Sequence, residues 1–402
     1  MDNIARPGGH IPSGDRFSRG TNQSGMRDLN ERLVLSLVRQ HGSLAKTEIA
    51  RLTQLSAQTV SVIVRALETD GLLRRNEPVR GRIGQPSVPM SLAPEGAYFV
   101  GLKIGRRSAD LVLIDFLGDA VAMRRFAYRY PLPDDTVKFA TEGLQQISAA
   151  LTPQQSTRIA GVGIAMPFEL WNWTEAAGAS ATEMEAWRHR DIRAEIEARC
   201  GISTYLRNDA SSACGAELVF GKAPLPRDFI YFYLGTFPGG GIVINGLLYP
   251  GPTGNAGALG SMPVPGPHGQ TLQLIDKASI AILEKRLIEA SKDASRLWSN
   301  PADWGEMGDE LNEWIELAAE GIAHAIIAAC AVIDFQLAVI DGWMPVAVRK
   351  RIVETVAKKM AETNHEGLAP PTVREGTVGA HARAYGAASL PLSERFLYNA
   401  GQ

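Results

Sequence analysis

Cysteine is scarce in this 402-residue chain: Cys200, Cys214 and Cys330 are the only three. An odd count with no CxxC spacing argues against both a disulfide framework and a zinc site. Long apolar runs are missing too. No stretch reaches the roughly 18 residues that span a bilayer, and the N-terminus lacks the apolar core of a signal peptide, so a cytoplasmic protein with no membrane contact is expected. From Met1 to Gly25 aliphatic residues are almost absent, and the segment reads as a disordered tail. Its Arg6, Arg16 and Arg19 read as solvated rather than phosphate-bound. Overall charge is slight, at −2, but unevenly spread. Residues 1–92 hold 13 Lys and Arg against 8 Asp and Glu, and the remainder holds 28 against 35. A basic front end on an acidic body fits a nucleic-acid-binding segment fused to a separate domain.

What is present is clearest from Ser56 to Gly71, SAQTVSVIVRALETDG. Val60, Ile63, Val64 and Leu67 recur at i, i+3, i+4 and i+7 and make one apolar stripe on a helix. Ser56 stands at its N-cap and Gly71 at its stop. The opposite face carries Gln58, Thr59, Ser61, Val62 and Arg65, with no carboxylate until Glu68. Periodicity alone would make this an amphipathic surface helix of any enzyme; its neighbours change the reading. Leu29, Leu33, Val34, Leu37 and Val38 predict a helix from Met26 to about Gly42, and a second fits Lys46 to Thr53. Gln54-Leu55-Ser56 is then the tight connection of a helix-turn-helix, with the third helix in the recognition position. Beyond it, Leu72–Arg75, the basic turn Arg80–Ser87 and Val88–Leu92 read as strand, turn and strand, a β-wing. Gln58, Thr59 and Ser61 are candidates to read bases, with Val62 on the same face and Arg65 on phosphate. In the wing, Arg80 and Arg82 suit an A·T-rich minor groove, beside Gln85.

Together TEIARLTQLSAQTVSVIVRALETDGLLRR and GRIGQPS resemble the winged helix-turn-helix of ROK-family transcriptional repressors, with their L-x-x-x-T-V-S helix and G-R-P-S-like wing. Ala45 departs from the family's helix-capping Ser, at a cost of about 1 kcal/mol to the second helix.

A new unit begins at about residue 93. Tyr98–Gly105, Ala109–Asp115 and the run from Ala120 read as three antiparallel strands, followed by a helix over 134–151 and an apolar strand, Ile159–Met166. Residues 229–249 restart the pattern, so the composition predicts an α/β fold of two similar lobes. The βββαβα order resembles actin-like sugar kinases, and the likeness to the ROK effector domain covers essentially all of 95–402. The expected layout is a tail over 1–25, a winged helix-turn-helix over 26–92 and a two-lobed actin-like ROK sugar-kinase fold over 93–402.

Against the kinase motifs of that family, this chain departs repeatedly. The first phosphate turn, D-x-G-G-T in the family, reads Lys103-Ile104-Gly105-Arg106-Arg107-Ser108, and a lysine in place of the magnesium carboxylate inverts the charge. In the second, Leu234–Gly241, Phe237-Pro238 interrupts the small residues, leaving a structural hairpin at least as natural as a phosphate cradle. Asp341 replaces the first glycine of a Gly-Gly pair and is expected to repel nucleotide phosphates. Ala258 and Ser261 replace the Glu and His of the family's E-x-G-H, and no zinc cysteines follow; lone His268 makes no metal site. ATP and zinc are both expected to be absent.

Arg207-Asn208-Asp209-Ala210 matches the family's N-D-A motif, in which Asn and Asp bind sugar hydroxyls and, in kinases, the Asp is the general base. Glu169, Glu183, Trp171, Trp173 and Trp187 are candidates to complete a sugar site, although core packing is the commoner use of Trp. The resemblance thus implies a transcriptional regulator, not an enzyme. A repressor of sugar transport or catabolism genes is expected, binding a sugar or sugar phosphate between lobes and, as a homodimer or homotetramer, an inverted-repeat operator with an A·T-rich flank. The alternatives are an ATP-dependent sugar kinase with a DNA-binding appendage, which Asp209 alone favours, and a constitutive DNA-binding protein whose effector lobe has lost its ligand.

Overall fold

The computed structural model describes residues 23–78, 87–168, 170–173 and 181–398. They fall into two compact units. The first runs to Ala93 and includes residues 251–253 and 395–398; the second takes the rest.

The first unit contains α1 (Gln23–His41), β1 (Ser43–Ala45), α2 (Lys46–Thr53), α3 (Ala57–Thr69), β2 (Leu73–Arg75) and β3 (Pro89–Leu92). Helix α1 starts three residues before Met26, inside the segment expected to be a tail. Strand β1 pairs antiparallel with β3, so the wing sheet has three strands in the order β1-β3-β2. Three residues carry no period, which is why β1 was not predicted. The core is made by Val34, Leu35 and Val38 of α1, Ile49 of α2, the Val60, Ile63, Val64 and Leu67 stripe of α3, and Met90 and Leu92 of β3. The α2–α3 turn is made by Gln54 in the left-handed region, at φ 60°. Ser56 Oγ then accepts the Thr59 N–H at 3.1 Å and starts α3. At α2 only half a capping box forms: Ala45 offers no side-chain acceptor, but its own N–H donates to Glu48 Oε2 at 2.9 Å. At the chain's end, Tyr398 N–H donates to Ser36 Oγ at 2.8 Å.

The second unit holds two five-stranded sheets of one plan. Strands β4 (Tyr98–Ile104), β5 (Ser108–Ile114), β6 (Ala120–Ala127), β7 (Ile159–Met166) and β8 (Thr204–Asn208) take the order β6-β5-β4-β7-β8, with helices α4 (Pro133–Ser148) and α5 (Ile192–Cys200) between them in sequence. Helix α6 (Asp209–Phe220) leads into β9 (Phe229–Leu234), β10 (Pro238–Ile244) and β11 (Leu247–Tyr249). After α7 (Ile280–Glu289) and α8 (Asp309–Cys330) come β12 (Leu337–Gly342), α9 (Val346–Glu362) and β13 (Thr372–Glu375), and the second sheet runs β11-β10-β9-β12-β13. In each sheet the first three strands are antiparallel and the last two join in parallel. Both β4 and β5 are buried along their whole length, which explains their continuous apolar runs, whereas β6 is a mostly exposed edge. Helix α8 is core: Trp314, Ile315, Ala318, Ile322 and Ile326 are buried against the second sheet, while Val332 lies beyond its end, 83% exposed.

The last helix, α10 (Ala382–Phe396), explains two glycines of the first sheet. A Cβ on Gly101 or Gly163 would collide with the backbone carbonyls of Ala384 or Ala387, and one on Gly386 with that of Ser212. Backbone therefore rests directly on backbone where α10 crosses β4, β7 and α6.

Candidate functional site

Helix α3 presents the face expected of it. Gln58, Val62 and Arg65 are exposed, and Thr59 and Ser61 are half-buried beside them. Val62 is 56% exposed, an apolar contact surface among hydrogen-bonding groups. The Thr59 hydroxyl lies 2.8 Å from Ser56 Oγ, so cap and contact residue share a hydrogen bond. The helix's one carboxylate, Glu68, accepts from Arg75 Nη2 of β2 at 3.1 Å. That pairing cancels the charge that would repel a phosphate. Arg80, Arg82 and Gln85 lie outside the described residues, as do Arg6, Arg16 and Arg19.

In the second unit, Asn208 and Asp209 stand where β8 passes into α6, and the local structure accounts for part of each. Asn208 Oδ1 accepts from the N–H groups of Ala210 and Ser211 at 3.0 and 3.2 Å, so its carbonyl caps the helix. Asp209 is 8% exposed, and its Oδ2 accepts from Arg383 Nη1 of α10 at 3.0 Å. The Arg383 guanidinium also lies 4.8 Å from the centre of the Tyr233 ring, and its Nε is buried with no partner among the described residues. Burial opposes its charge, but Tyr233, Asp209 and Asp110 hold its pKa above the ordinary value. The Asn208 side-chain amide and the second Asp209 oxygen are what remain for a ligand hydroxyl. Nothing in the sequence marked Arg383, which lies 174 positions from its partner; the one available signal was an arginine just ahead of the small-residue run Gly386–Ser389.

Lys103 is the centre of a second buried group. At 6% exposure, its Nζ donates to Ser108 O, Ser108 Oγ and Asp110 Oδ2 at 3.1, 3.1 and 3.0 Å. Burial depresses its pKa to about 8, against the pull of Asp110. Burial would raise the Asp110 carboxyl, but the neighbouring Lys103 holds it below the usual carboxylate range. The side chain folds back over the first glycine turn: a Cβ on Gly105 would strike Lys103 Cε and Nζ. Two arginines of the β4–β5 turn and one of β6 each reach an aromatic ring outside the first sheet. Arg106 lies 5.0 Å from the Phe237 ring, Arg107 4.6 Å from Trp298 and Arg125 4.9 Å from Trp343. Arg107 also pairs with Glu284 at 2.9 Å.

The glycine run 239–241 is absorbed by packing. A Cβ on Gly239 would meet Ala210, one on Gly240 the Tyr231 carbonyl and Leu259, and one on Gly241 Cys214. Asp341 corrects a reading made from sequence. It is wholly buried, and its carboxylate is consumed internally rather than facing a nucleotide. Arg349 Nη1 and Gly342 N–H donate to Oδ1 at 2.7 and 2.9 Å; Tyr231 OH and Gly379 N–H donate to Oδ2 at 3.1 and 2.9 Å.

One aromatic candidate, Trp187, is corrected too. Trp187 is 4% exposed in the first-sheet core, and its Nε1 donates to Pro131 O at 2.9 Å, so it is not available to stack on a sugar. Trp171 packs partly buried on the same core beneath the Arg188 guanidinium. Glu183 accepts from Tyr130 OH at 3.0 Å. Glu169 and the Trp173 side chain lie outside the described residues. His268 sits in the turn of a two-stranded hairpin, Pro263–Pro265 with Thr271–Gln273, and among the described residues no group of three His, Cys, Asp or Glu is placed to hold a metal.

Comparison with known proteins places both units. The ROK family model matches residues 99–278, and the MarR family model matches residues 24–83. The chain carries a ROK domain behind a MarR-type winged helix. The DNA-binding transcriptional dual regulator NagC of Escherichia coli is 24% identical over 386 residues, covering 89% of this chain and 92% of its own. A xylose repressor of Bacillus spizizenii is 22% identical over 242 residues, 60% of this chain and 62% of its own. That match spans under two thirds of the repressor's length. Among solved structures, a ROK-family transcriptional regulator described as a homologue of E. coli MLC covers 92% of this chain and 97% of its own at TM-score 0.67 and 16% identity. A ROK glucokinase of Streptomyces griseus, solved with glucose and AMPPNP, covers 73% of this chain and 99% of its own at TM-score 0.55 and 20% identity. At such identities the structures establish the fold.

Proposed function

We propose that this chain is a sequence-specific DNA-binding transcriptional regulator, a repressor of sugar transport or catabolism genes, governed by a sugar-class effector bound near Asn208 and Asp209. One observation carries the reading: a capped α3 that buries its whole apolar stripe and presents Gln58, Val62 and Arg65 to solvent, with Glu68 neutralised by Arg75. The names of the relatives, a xylose repressor and NagC, support the sugar-responsive part.

The kinase alternative is disfavoured by Lys103, a buried cation where the family's kinases have a magnesium carboxylate, and Ala258 and Ser261 stand where the family has its Glu and His, so neither ATP nor zinc enters the proposal. A dimer or tetramer would set two α3 helices one DNA turn apart on an inverted repeat. Footprinting of the full-length protein on its own upstream DNA tests the reading. Protection of a two-fold-symmetric site, lost in Gln58→Ala, is expected; uniform affinity for all sequences refutes it. ADP release with any hexose, abolished by Asp209→Asn, would instead establish the kinase.

A further inference from the structure

Two stretches beyond residue 93, residues 251–253 and 395–398, belong to the first unit. Each is the direct continuation of a segment that touches Asn208 or Asp209, or the group that holds it. Residues 395–398 follow from α10, which is one helix from Ala382 to Phe396. Its first turn carries Arg383, whose Nη1 donates to Asp209 Oδ2 at 3.0 Å. Just past its last turn, and within the first unit, the Tyr398 N–H donates to Ser36 Oγ of α1 at 2.8 Å. Residues 251–253 run on into 254–258, where Ala256 O accepts from Ser211 Oγ at 3.5 Å. The Ser211 N–H is in turn one of the two donors that hold Asn208 Oδ1. Between its ends α10 has no slack. Its Ala384 and Ala387 carbonyls lie where side chains of Gly101 and Gly163 would be, and Ser212 O lies where one of Gly386 would be. Backbone on backbone leaves no rotamer to absorb a shift, and a close-packed interior passes strain on. Pro391 gives the Ala387 carbonyl no helical N–H, but its ring is seated against Gly161 of β7, so the helix keeps its place there.

We propose that α10 is the element by which the Asn208–Asp209 site governs the first unit, with the Arg383–Asp209 ion pair as its ligand-sensitive end. The segment 251–258 is a second link in parallel, through Ser211. This deepens, and rests on, the reading of that site as the effector site. A ligand hydroxyl that donates to Asp209 draws on the carboxylate that seats Arg383, and the first turn of α10 is released. A ligand that takes the Asn208 amide pulls on the side chain whose oxygen holds Ser211. Occupancy thus reaches both segments that end in the first unit, and the unoccupied site keeps both seated. Such coupling is reciprocal: DNA changes ligand affinity by the factor by which ligand changes DNA affinity, about 5–150-fold in typical cases.

The test uses the full-length protein, with neither ligand nor DNA, and follows amide hydrogen exchange in the peptides that contain Ser36 and Tyr398. Arg383→Met and Asp209→Asn remove the ion pair from opposite sides and mimic the occupied site. Both are expected to speed exchange of the Tyr398 amide by about fivefold or more. Arg383→Lys, which keeps a cation beside Asp209, is expected to restore the wild-type rate. Lys277→Met removes a different buried cation of the second unit, paired with Glu320 at 2.9 Å, and is expected to leave that rate unchanged. Equal exchange in wild type, Arg383→Met and Asp209→Asn would overturn the proposal. So would a gain in Lys277→Met as large as theirs, which is general loosening of the unit. In the second arm both pair-breaking variants are expected to bind the footprinted DNA site about fivefold or more weakly. Ser36→Ala, which removes the acceptor at the far end, is expected to shrink that change; strictly additive effects of Arg383→Met and Ser36→Ala count against α10 as the link. The two claims fail separately. Specific DNA protection with wild-type exchange in both variants sinks only this inference, and altered exchange without specific protection sinks only the regulator.

Discussion

Replacing Asp341 by asparagine removes one formal charge from a fully buried carboxylate that receives four donors, two on each oxygen. The asparagine cannot reproduce this. If its amide nitrogen takes the Oδ2 place, the Gly379 N–H faces a donor; if it takes the Oδ1 place, the Gly342 N–H and Arg349 do. In either orientation a backbone N–H is stranded, and the Arg349 guanidinium keeps only Glu375, at 3.1 Å, as a counter-charge. Breaking a buried ion pair by removing one partner costs about 3–5 kcal/mol. The unit has about 300 residues, so at roughly 2.1 cal/mol/K of unfolding entropy per residue the melting temperature should fall by about 5–8 °C.

Differential scanning calorimetry on wild type and Asp341→Asn reads this directly. The double variant Asp341→Asn, Arg349→Met should recover part of the loss, because the stranded cation goes with its partner. A fall of less than about 1.5 °C, equivalent to about 1 kcal/mol, would show that the buried carboxylate does not hold β12, α9 and the 379 turn together. A double variant as unstable as the sum of the single ones would show that Arg349 is not its electrostatic partner.

Three further outcomes are expected. Ser56→Ala should cost the DNA-binding unit about 1 kcal/mol, and Ser56→Asp should keep the cap; equal denaturant midpoints for all three proteins would contradict the role of Ser56 at α3. Arg65→Ala should weaken operator binding about evenly across sequences and lower the slope of log K against log salt by about 1, whereas Gln58→Ala should relax base preference; a salt slope unchanged in Arg65→Ala removes its phosphate contact. The Lys103 pKa, depressed to about 8 from 10.5, means that between those values the unfolded chain holds a proton that the folded chain has lost. Wild-type stability relative to Lys103→Met should therefore rise with pH through that window, by up to about 1.4 kcal/mol per unit, and a flat or falling difference in urea titrations refutes it.

Patterns with a period were legible. The α3 stripe, the Ser56 cap and the apolar runs of β4, β5 and β7 all sit where the spacing of their residues places them, because burial acts on every third or fourth residue of a helix and on every residue of a strand covered on both faces. What lacked a period was misread or missed. Trp187 in a polar segment gave no hint that its indole N–H would be satisfied by Pro131, 56 positions earlier. Asp341 read as a charge turned toward a nucleotide because its four donors come from Tyr231, Arg349, Gly379 and its own neighbour. The Arg383–Asp209 pair was missed for the same reason: it depends on which helix the chain lays across the mouth of β8, a matter of tertiary packing.

The cations on the glycine turns bear on how such a domain can respond to a ligand. Arg106–Phe237, Arg107–Trp298 and Arg125–Trp343 each join the first sheet's edge to an aromatic ring from residues 237–343. Contacts of this type contribute about 0.5–1 kcal/mol each where exposed, so three of them hold their arrangement by roughly 1.5–3 kcal/mol. A difference of that size is a ten- to hundredfold bias at about 1.4 kcal/mol per decade. A ligand can reset it if its affinity for the two arrangements differs by more than that. Arg106→Gln, which removes one of the three contacts, should lower the stability of the second unit by about 0.5–1 kcal/mol; an unchanged denaturant midpoint would show that the stack on Phe237 holds nothing.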